Sequence, residues 1–160
     1  MERIKSILAP TDLSELSQVG VRYALEMAKI QEVEVIVYHV ANYMEAIPFK
    51  EINSPHMKSV EDFIDDRKKE VDHFLREAFP GLLSKVNIRQ EVGVGTPHEM
   101  IVERAEKKDV DMIVMSTHGR TALAHMFIGS VTEQVVRRSV CPVLSVRPQA
   151  EATPAEAMAV

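Results

Sequence analysis

One cysteine, Cys141, is all the thiol chemistry this chain carries, so no disulfide can form within it, and a reducing compartment suits it. Positive charge is not in excess: 19 Lys and Arg stand against 24 Asp and Glu, a net charge of −5. That balance gives no argument for nucleic acid or an anionic membrane, both of which demand clustered basic residues. A signal-peptide core is missing, because Met1-Glu2-Arg3 leads straight into a short strand-like run, and no apolar run approaches bilayer length. These absences point to a cytoplasmic protein. Several chemical signatures are missing too. There is no Gly-x-x-x-x-Gly-Lys-Ser/Thr of a Walker-type NTPase and no Gly-x-Ser-x-Gly nucleophile elbow. Gly93-x-Gly95 lacks the third glycine of a dinucleotide fingerprint and reads as a turn. The histidines, at His39, His56, His73, His98, His118 and His125, include no i, i+4 pair, and the lone thiol forms no Cys-x-x-Cys, so no metal site is expected. His118 reads as a loop-packing residue and Cys141 as inert core.

What is present is one domain's worth of ordinary globular sequence: 160 residues, 46% hydrophobic and 27% charged. Ile4 to Ala9 is a short strand ended by Pro10-Thr11-Asp12. A helix follows from about Ser14 to Ile30, with Ser14 as cap and Leu16, Gly20, Tyr23, Ala24, Met27 and Ala28 on one face. Val33 to Val40 is a β-branched strand, and 41–57, with two prolines and no period, is a loop. Met57 to Phe79 returns to helical period and is stopped by Pro80-Gly81. Val86 to Val92 alternates as a strand, and Thr96-Pro97-His98-Glu99 has the pattern of a capping box opening a helix that runs to about Lys108. Val110 to Met115 is a strand, Gly119 to Gly129 a connection, Ser130 to Ser139 a helix and Val143 to Val146 the last strand. Residues 1–148 are therefore one domain, and the Ala-rich stretch 149–160 is a disordered tail. Strict alternation of strand and helix predicts an α/β fold, an open parallel five-stranded sheet with helices on both faces, Rossmann-like. Ligands in such sheets bind beyond the carboxyl ends of the strands. Ala9 to Asp12, His39-Val40 and Met115 to Thr132 reach that edge.

The last of these is the informative one. Met115-Ser116-Thr117-His118-Gly119-Arg120 leaves a buried strand, and Gly129-Ser130-Val131-Thr132 opens a helix after it. A helix N-terminus offers free backbone N–H groups and the positive end of the dipole to an anion. Gly119 and Gly129 would let the backbone approach a phosphate, and the Ser130 and Thr132 hydroxyls could add hydrogen bonds or help hold a phosphate-bound Mg²⁺. Spacing alone equally allows two turn glycines and a Ser130 N-cap.

Asp111 to Thr121, then Gly129-Ser130-Val131-Thr132-Glu133 and Cys141-Pro142-Val143-Leu144, resemble the signature of the universal stress proteins. Ile7-Leu8-Ala9-Pro10-Thr11-Asp12 with Ser14 is similar to that family's first strand and turn, and Val92 with Gly95-Thr96-Pro97 to its third strand and helix start. The family's ATP-binding branch carries Gly, two residues, Gly, nine residues, then Gly with Ser or Thr. Here Gly119, the spacer and Gly129-Ser130 match, and Ser116 replaces the first glycine. The resemblance implies an ATP site, with Mg²⁺, built from Pro10, Thr11 and Asp12 near the ribose, Val40 at the adenine, Met115 and Ser116 at the ribose, and Gly119, Arg120, Gly129, Ser130, Val131 and Thr132 around the phosphates. It also implies a homodimer through Pro142 to Val146, and a stress or signalling module, not an enzyme. Hydrolysis would need a positioned base and charge stabilisation, for which only His118 and Arg120 stand near. The alternative is a dimeric interaction module without nucleotide, which Ser116 favours.

Overall fold

In a computed structural model, which describes residues 3–42, 59–107, 109–119 and 128–148, strands and helices alternate throughout. The elements are β1 (Ser6–Thr11), α1 (Glu15–Gln31), β2 (Glu34–Ala41), α2 (Val60–Ala78), a short 3-10 turn (Leu83–Lys85), β3 (Asn87–Val94), α3 (Pro97–Ala105), β4 (Met112–Ser116), α4 (Ser130–Arg138) and β5 (Val143–Val146). The five strands line up as β3-β2-β1-β4-β5, every neighbouring pair parallel, as the alternation predicts. The loop expected over 41–57, the start of the second helix at Met57, the end of the third at Lys108 and the tail 149–160 fall wholly or mostly outside the described residues.

Side-chain alternation along the strands divides the core in two. Ile7, Ala9, Val35, Val37 and Val114 pack with Val21, Ala24 and Leu25 of α1 and Val71 and Leu75 of α2. Leu8, Ile36, Tyr38, Ile113 and Met115 pack on the other face with Ile101 and Ala105 of α3 and Val135 of α4. All six residues of β1 are buried, which is why its sequence is nearly unbroken in apolarity. Pro10 and Thr11 belong to this strand instead of ending it. Pairing with β2 continues to Thr11↔His39, whereas pairing with β4 is confined to Ile7↔Met112 and Leu8↔Ile113. Pro10, with no N–H to give, lies beyond that last β4 partner. Strand order reverses between β1 and β4, and these two strands part at their carboxyl ends, which opens a crevice there.

Ser14 caps α1 as expected, its hydroxyl accepting from the Ser17 N–H at 3.2 Å. The buried arc of this helix is rotated from the expected one: Ser17, Val21 and Leu25 are buried with Gly20, Ala24 and Ala28, while Leu16 and Tyr23 face solvent. Gly20 sets that rotation. A Cβ there would lie 2.4 Å from the Ser116 nitrogen and 2.6 Å from the Met115 carbonyl carbon, so the helix rests directly on the backbone of β4. The capping box forms on α2, between Ser59 and Asp62, and not on α3, where Thr96 holds the N-cap position without a side-chain bond and Pro97 supplies the preset φ. Gly93 is a strand residue paired with Val40, not a turn. At the opposite end from the crevice, the buried guanidinium of Arg104 bonds Glu91 at 2.6 Å and Asp109 at 2.9 Å, and Arg89 joins Asp109 at 2.8 Å and Glu34 at 2.9 Å. Among the described residues no helix is long and apolar enough to cross a membrane.

Candidate functional site

The crevice between β1 and β4 deepens into a cleft of about 230 Å³. Pro10, Thr11, Asp12, Val40, Met115, Ser116, Gly119, Gly129, Ser130, Val131 and Thr132, all singled out from sequence, line it. Arg120 lies outside the described residues. The sequence reading missed Ser17, Tyr38, Asn42, Pro97 and Ile101, which also line the cleft, and brought His39 and His118 to this edge without giving either a binding role. Period-two alternation back from Val40 points to Tyr38, and a helical step from Pro97 to Ile101, so the signal for these was present.

The sheet's alternation gives the cleft two chemically distinct sides. Tyr38, Val40, Ile101, Met115 and Val131 belong to the α3/α4 face and make an apolar wall. Thr11, Ser17, His39 and Ser116 lie on the α1 face, all buried and all polar. Their hydrogen bonds run in one direction. Ser17 Oγ donates to the Ser14 carbonyl at 2.8 Å, so the 2.8 Å contact between Thr11 Oγ1 and Ser17 Oγ is donated by Thr11, which itself accepts from the Leu13 N–H at 3.0 Å. His39 Nδ1 stands 2.9 Å from the Thr11 carbonyl oxygen and therefore carries the proton.

Asp12 leaves β1 at the mouth of the cleft. Its Oδ1 accepts from the Ser14 N–H at 3.0 Å and the Ser14 hydroxyl at 2.5 Å. Between the two, Leu13 is held at φ 64°, a left-handed conformation that is rare for a bulky residue and is tolerated where the surroundings over-determine it. Across the cleft, a Cβ on Gly119 would stand 2.3 Å from Asp12 Oδ2. Gly119 is not needed for an unusual backbone angle, since Gly95 is the described glycine at positive φ. It is needed to leave room for that carboxylate.

Thr117 and Gly129 clamp the connection after β4, the Gly129 N–H donating to the Thr117 carbonyl at 2.7 Å. Gly129, not Ser130, is the N-cap of α4. A Cβ on Gly129 would press on the Thr117 oxygen at 3.0 Å, so this glycine permits a backbone-to-backbone contact. The first bond of α4 is Glu133 N–H to Gly129 carbonyl, at 3.0 Å, which leaves the N–H groups of Ser130, Val131 and Thr132 ahead of the helical ladder and beside the cleft. The Thr132 hydroxyl is occupied, donating to the Ser116 carbonyl at 2.9 Å. Ser116 has an ordinary backbone conformation, its side chain turned to the α1 face, where its hydroxyl meets the His118 N–H at 3.5 Å. His118 Nδ1 is 2.8 Å from Thr117 Oγ1, a contact within the loop.

An apolar wall, a carboxylate at the mouth and a helix N-terminus in one cleft can accept a ligand with a flat apolar part, hydroxyls and an anionic end. Comparison with known proteins gives a consistent picture. The sequence pattern of the universal stress protein family matches residues 3–147. Universal stress protein MJ0577 of Methanocaldococcus jannaschii is 33% identical over 154 residues, which cover 89% of this chain and 94% of that one. Its solved structure superposes with a TM-score of 0.63 at 31% identity, covering 94% and 100% of the two chains. UspA of Lactobacillus plantarum gives a TM-score of 0.74 at 21% identity over 92% of this chain and 100% of its own. A universal stress protein solved in complex with cAMP gives 0.63 at 22% identity, again over 92% and 100%.

Proposed function

The chain belongs to the universal stress protein family, and on that footing we propose that its cleft binds an adenine nucleotide, ATP with Mg²⁺, as the ligand of a cytoplasmic stress or signalling module. The observation that carries this is the juxtaposition of the apolar wall with the three leading N–H groups of α4 in a single cleft. The base goes against Val40, Ile101 and Met115, the ribose hydroxyls toward Asp12, and the phosphates to the N–H groups of Ser130, Val131 and Thr132. Because the Thr132 hydroxyl donates its proton to the Ser116 carbonyl, Ser130 is the hydroxyl left to donate to a phosphate oxygen. A universal stress protein of the same fold is solved in complex with cAMP, which supports a nucleotide as the ligand. Ser116, which in sequence favoured a module without nucleotide, turns to the α1 face and leaves the apolar wall clear, so the nucleotide reading is preferred.

Thermal unfolding with and without Mg-ATP tests the proposal. A site with Kd of about 10 µM, at about 1 mM ligand, adds roughly 2.7 kcal/mol, which raises Tm by roughly 5–10 °C for a chain of this size. An unmoved transition at millimolar Mg-ATP overturns it.

A further inference from the structure

We propose that Tyr38 reads the base: its hydroxyl supplies a directed hydrogen bond from the apolar wall of the cleft to the polar edge of the nucleotide base, and so sets which base the site accepts. This rests on the nucleotide reading above. Tyr38 is only 5% exposed, lines the cleft and packs in the same cluster as Ile101 and Met115. A tyrosine so deeply buried normally bonds its hydroxyl to a protein group. Among the described residues none does so here, and the oxygen is not sealed in as a buried unsatisfied atom. The hydroxyl thus keeps its hydrogen-bonding capacity for whatever enters beside it.

Gly93 shows that room is kept for this group. A Cβ on Gly93 would lie 2.3 Å from the Tyr38 hydroxyl oxygen and 3.0 Å from the ring carbon that bears it. The backbone of Gly93 has no positive φ that would call for glycine. Glycine weakens a strand, and β3 carries one at the residue paired with Val40, where the tip of the phenol passes. Leucine at position 38 would fill an apolar core without that concession. Burial pushes the Tyr38 pKa up to about 12, with Glu91 adding to the effect, so the phenol stays neutral and keeps its proton at any physiological pH.

The test is calorimetric titration of the full-length wild type and Tyr38→Phe with Mg-ATP and with Mg-GTP. Wild type is expected to prefer one base. Tyr38→Phe should weaken the preferred nucleotide by about three- to tenfold and bring the ratio of the two affinities toward one. Phenylalanine keeps the ring, and an unchanged apo Tm checks that the fold is intact. Gly93→Ala, which pushes on the hydroxyl from the other side, should shift the ratio in the same direction. Equal loss for both nucleotides would mean that the ring only packs, and it overturns the proposal, as does an unchanged ratio or a wild type without base preference. A wild type that binds neither nucleotide overturns the nucleotide reading itself and is distinguishable from all of these.

Discussion

Gly119 leaves room for the Asp12 carboxylate across the mouth of the cleft. Gly119→Ala puts a methyl group 2.3 Å from Asp12 Oδ2, and the neighbour that must yield is the tip of a side chain, not backbone. The fold should therefore lose less than about 1 kcal/mol, while nucleotide affinity falls roughly tenfold as the carboxylate is displaced from charge-assisted bonds. Paired melting and binding curves check this, and equal affinity with wild type would remove Asp12 from the site. The motif spacing made both residues visible in sequence, but not what each does. Gly129 looked like a phosphate-approach glycine, and it is also the place where two backbone segments touch. Thr132 looked like a ligand hydroxyl, yet its proton goes to the Ser116 carbonyl. Hydroxyl direction depends on neighbours distant in the chain, which no local pattern encodes.

The close seating of α1 on β4 is a matter of whole elements. Gly20→Ala removes a helix-interior glycine, worth up to about 1 kcal/mol in propensity. The added Cβ meets the Ser116 nitrogen and Met115 carbonyl carbon, which are backbone atoms and cannot swing aside. Overpacking should win, with a net loss of roughly 1–3 kcal/mol in urea unfolding. A Gly20→Ala protein more stable than wild type would show that α1 does not rest on β4 as described. Element order and β5 were legible from hydrophobic period alone, because buried parallel strands are short apolar runs and the helices between them are amphipathic. The face of α1 was not. Leu16 and Tyr23 are apolar at the right spacing but exposed, and small Ser17 and Gly20 are inside. Contact distance chose the small residues, whereas hydrophobicity alone favours the large ones. Likewise Pro10 looks like a strand end, and continues the strand because β4 has already parted from it.

For the molecule as a whole, the Arg104 network joins β3, α3 and the entry to β4. Bonds from Arg104 hold the carboxyls of Glu91 and Asp109 below their usual range. Folded values below unfolded ones mean stability that is complete above the unfolded pKa of about 4 and is lost as pH falls through the lower folded values. Arg104→Leu should therefore cost on the order of 2 kcal/mol at pH 7, and the gap to wild type should narrow below about pH 4. Urea midpoints at pH 7 and pH 3 decide it, and a gap independent of pH would assign the loss to packing alone. Assembly is a second whole-molecule property. β5 is an edge strand, and Val143, Leu144 and Val146 are only half-buried. An apolar edge invites pairing, and we propose a homodimer through Pro142 to Val146. Val143→Lys with Leu144→Asp should give a monomer by light scattering, and a wild type monomeric at high micromolar concentration would sink the idea.

The meeting of β1 with β4 also governs when the protein becomes functional during its own synthesis. β1 finds β2 across a short span, with Thr11 and His39 only 28 residues apart. It finds the entry to β4 across a long one, the Ser6 N–H reaching the Asp111 carboxylate 105 residues later. Closing a loop of that length carries an entropy cost before any contact repays it, so β1, β2 and β3 can assemble as they emerge from the ribosome while β4 must wait. Both walls of the cleft include a residue of β4, and the apolar wall also includes Val131 of α4. A partly made chain therefore holds more than half of the sheet and no ligand site at all. Pulse-labelled hydrogen exchange during refolding should protect β2 amides before those of β4, and the opposite order would contradict this sequence of events.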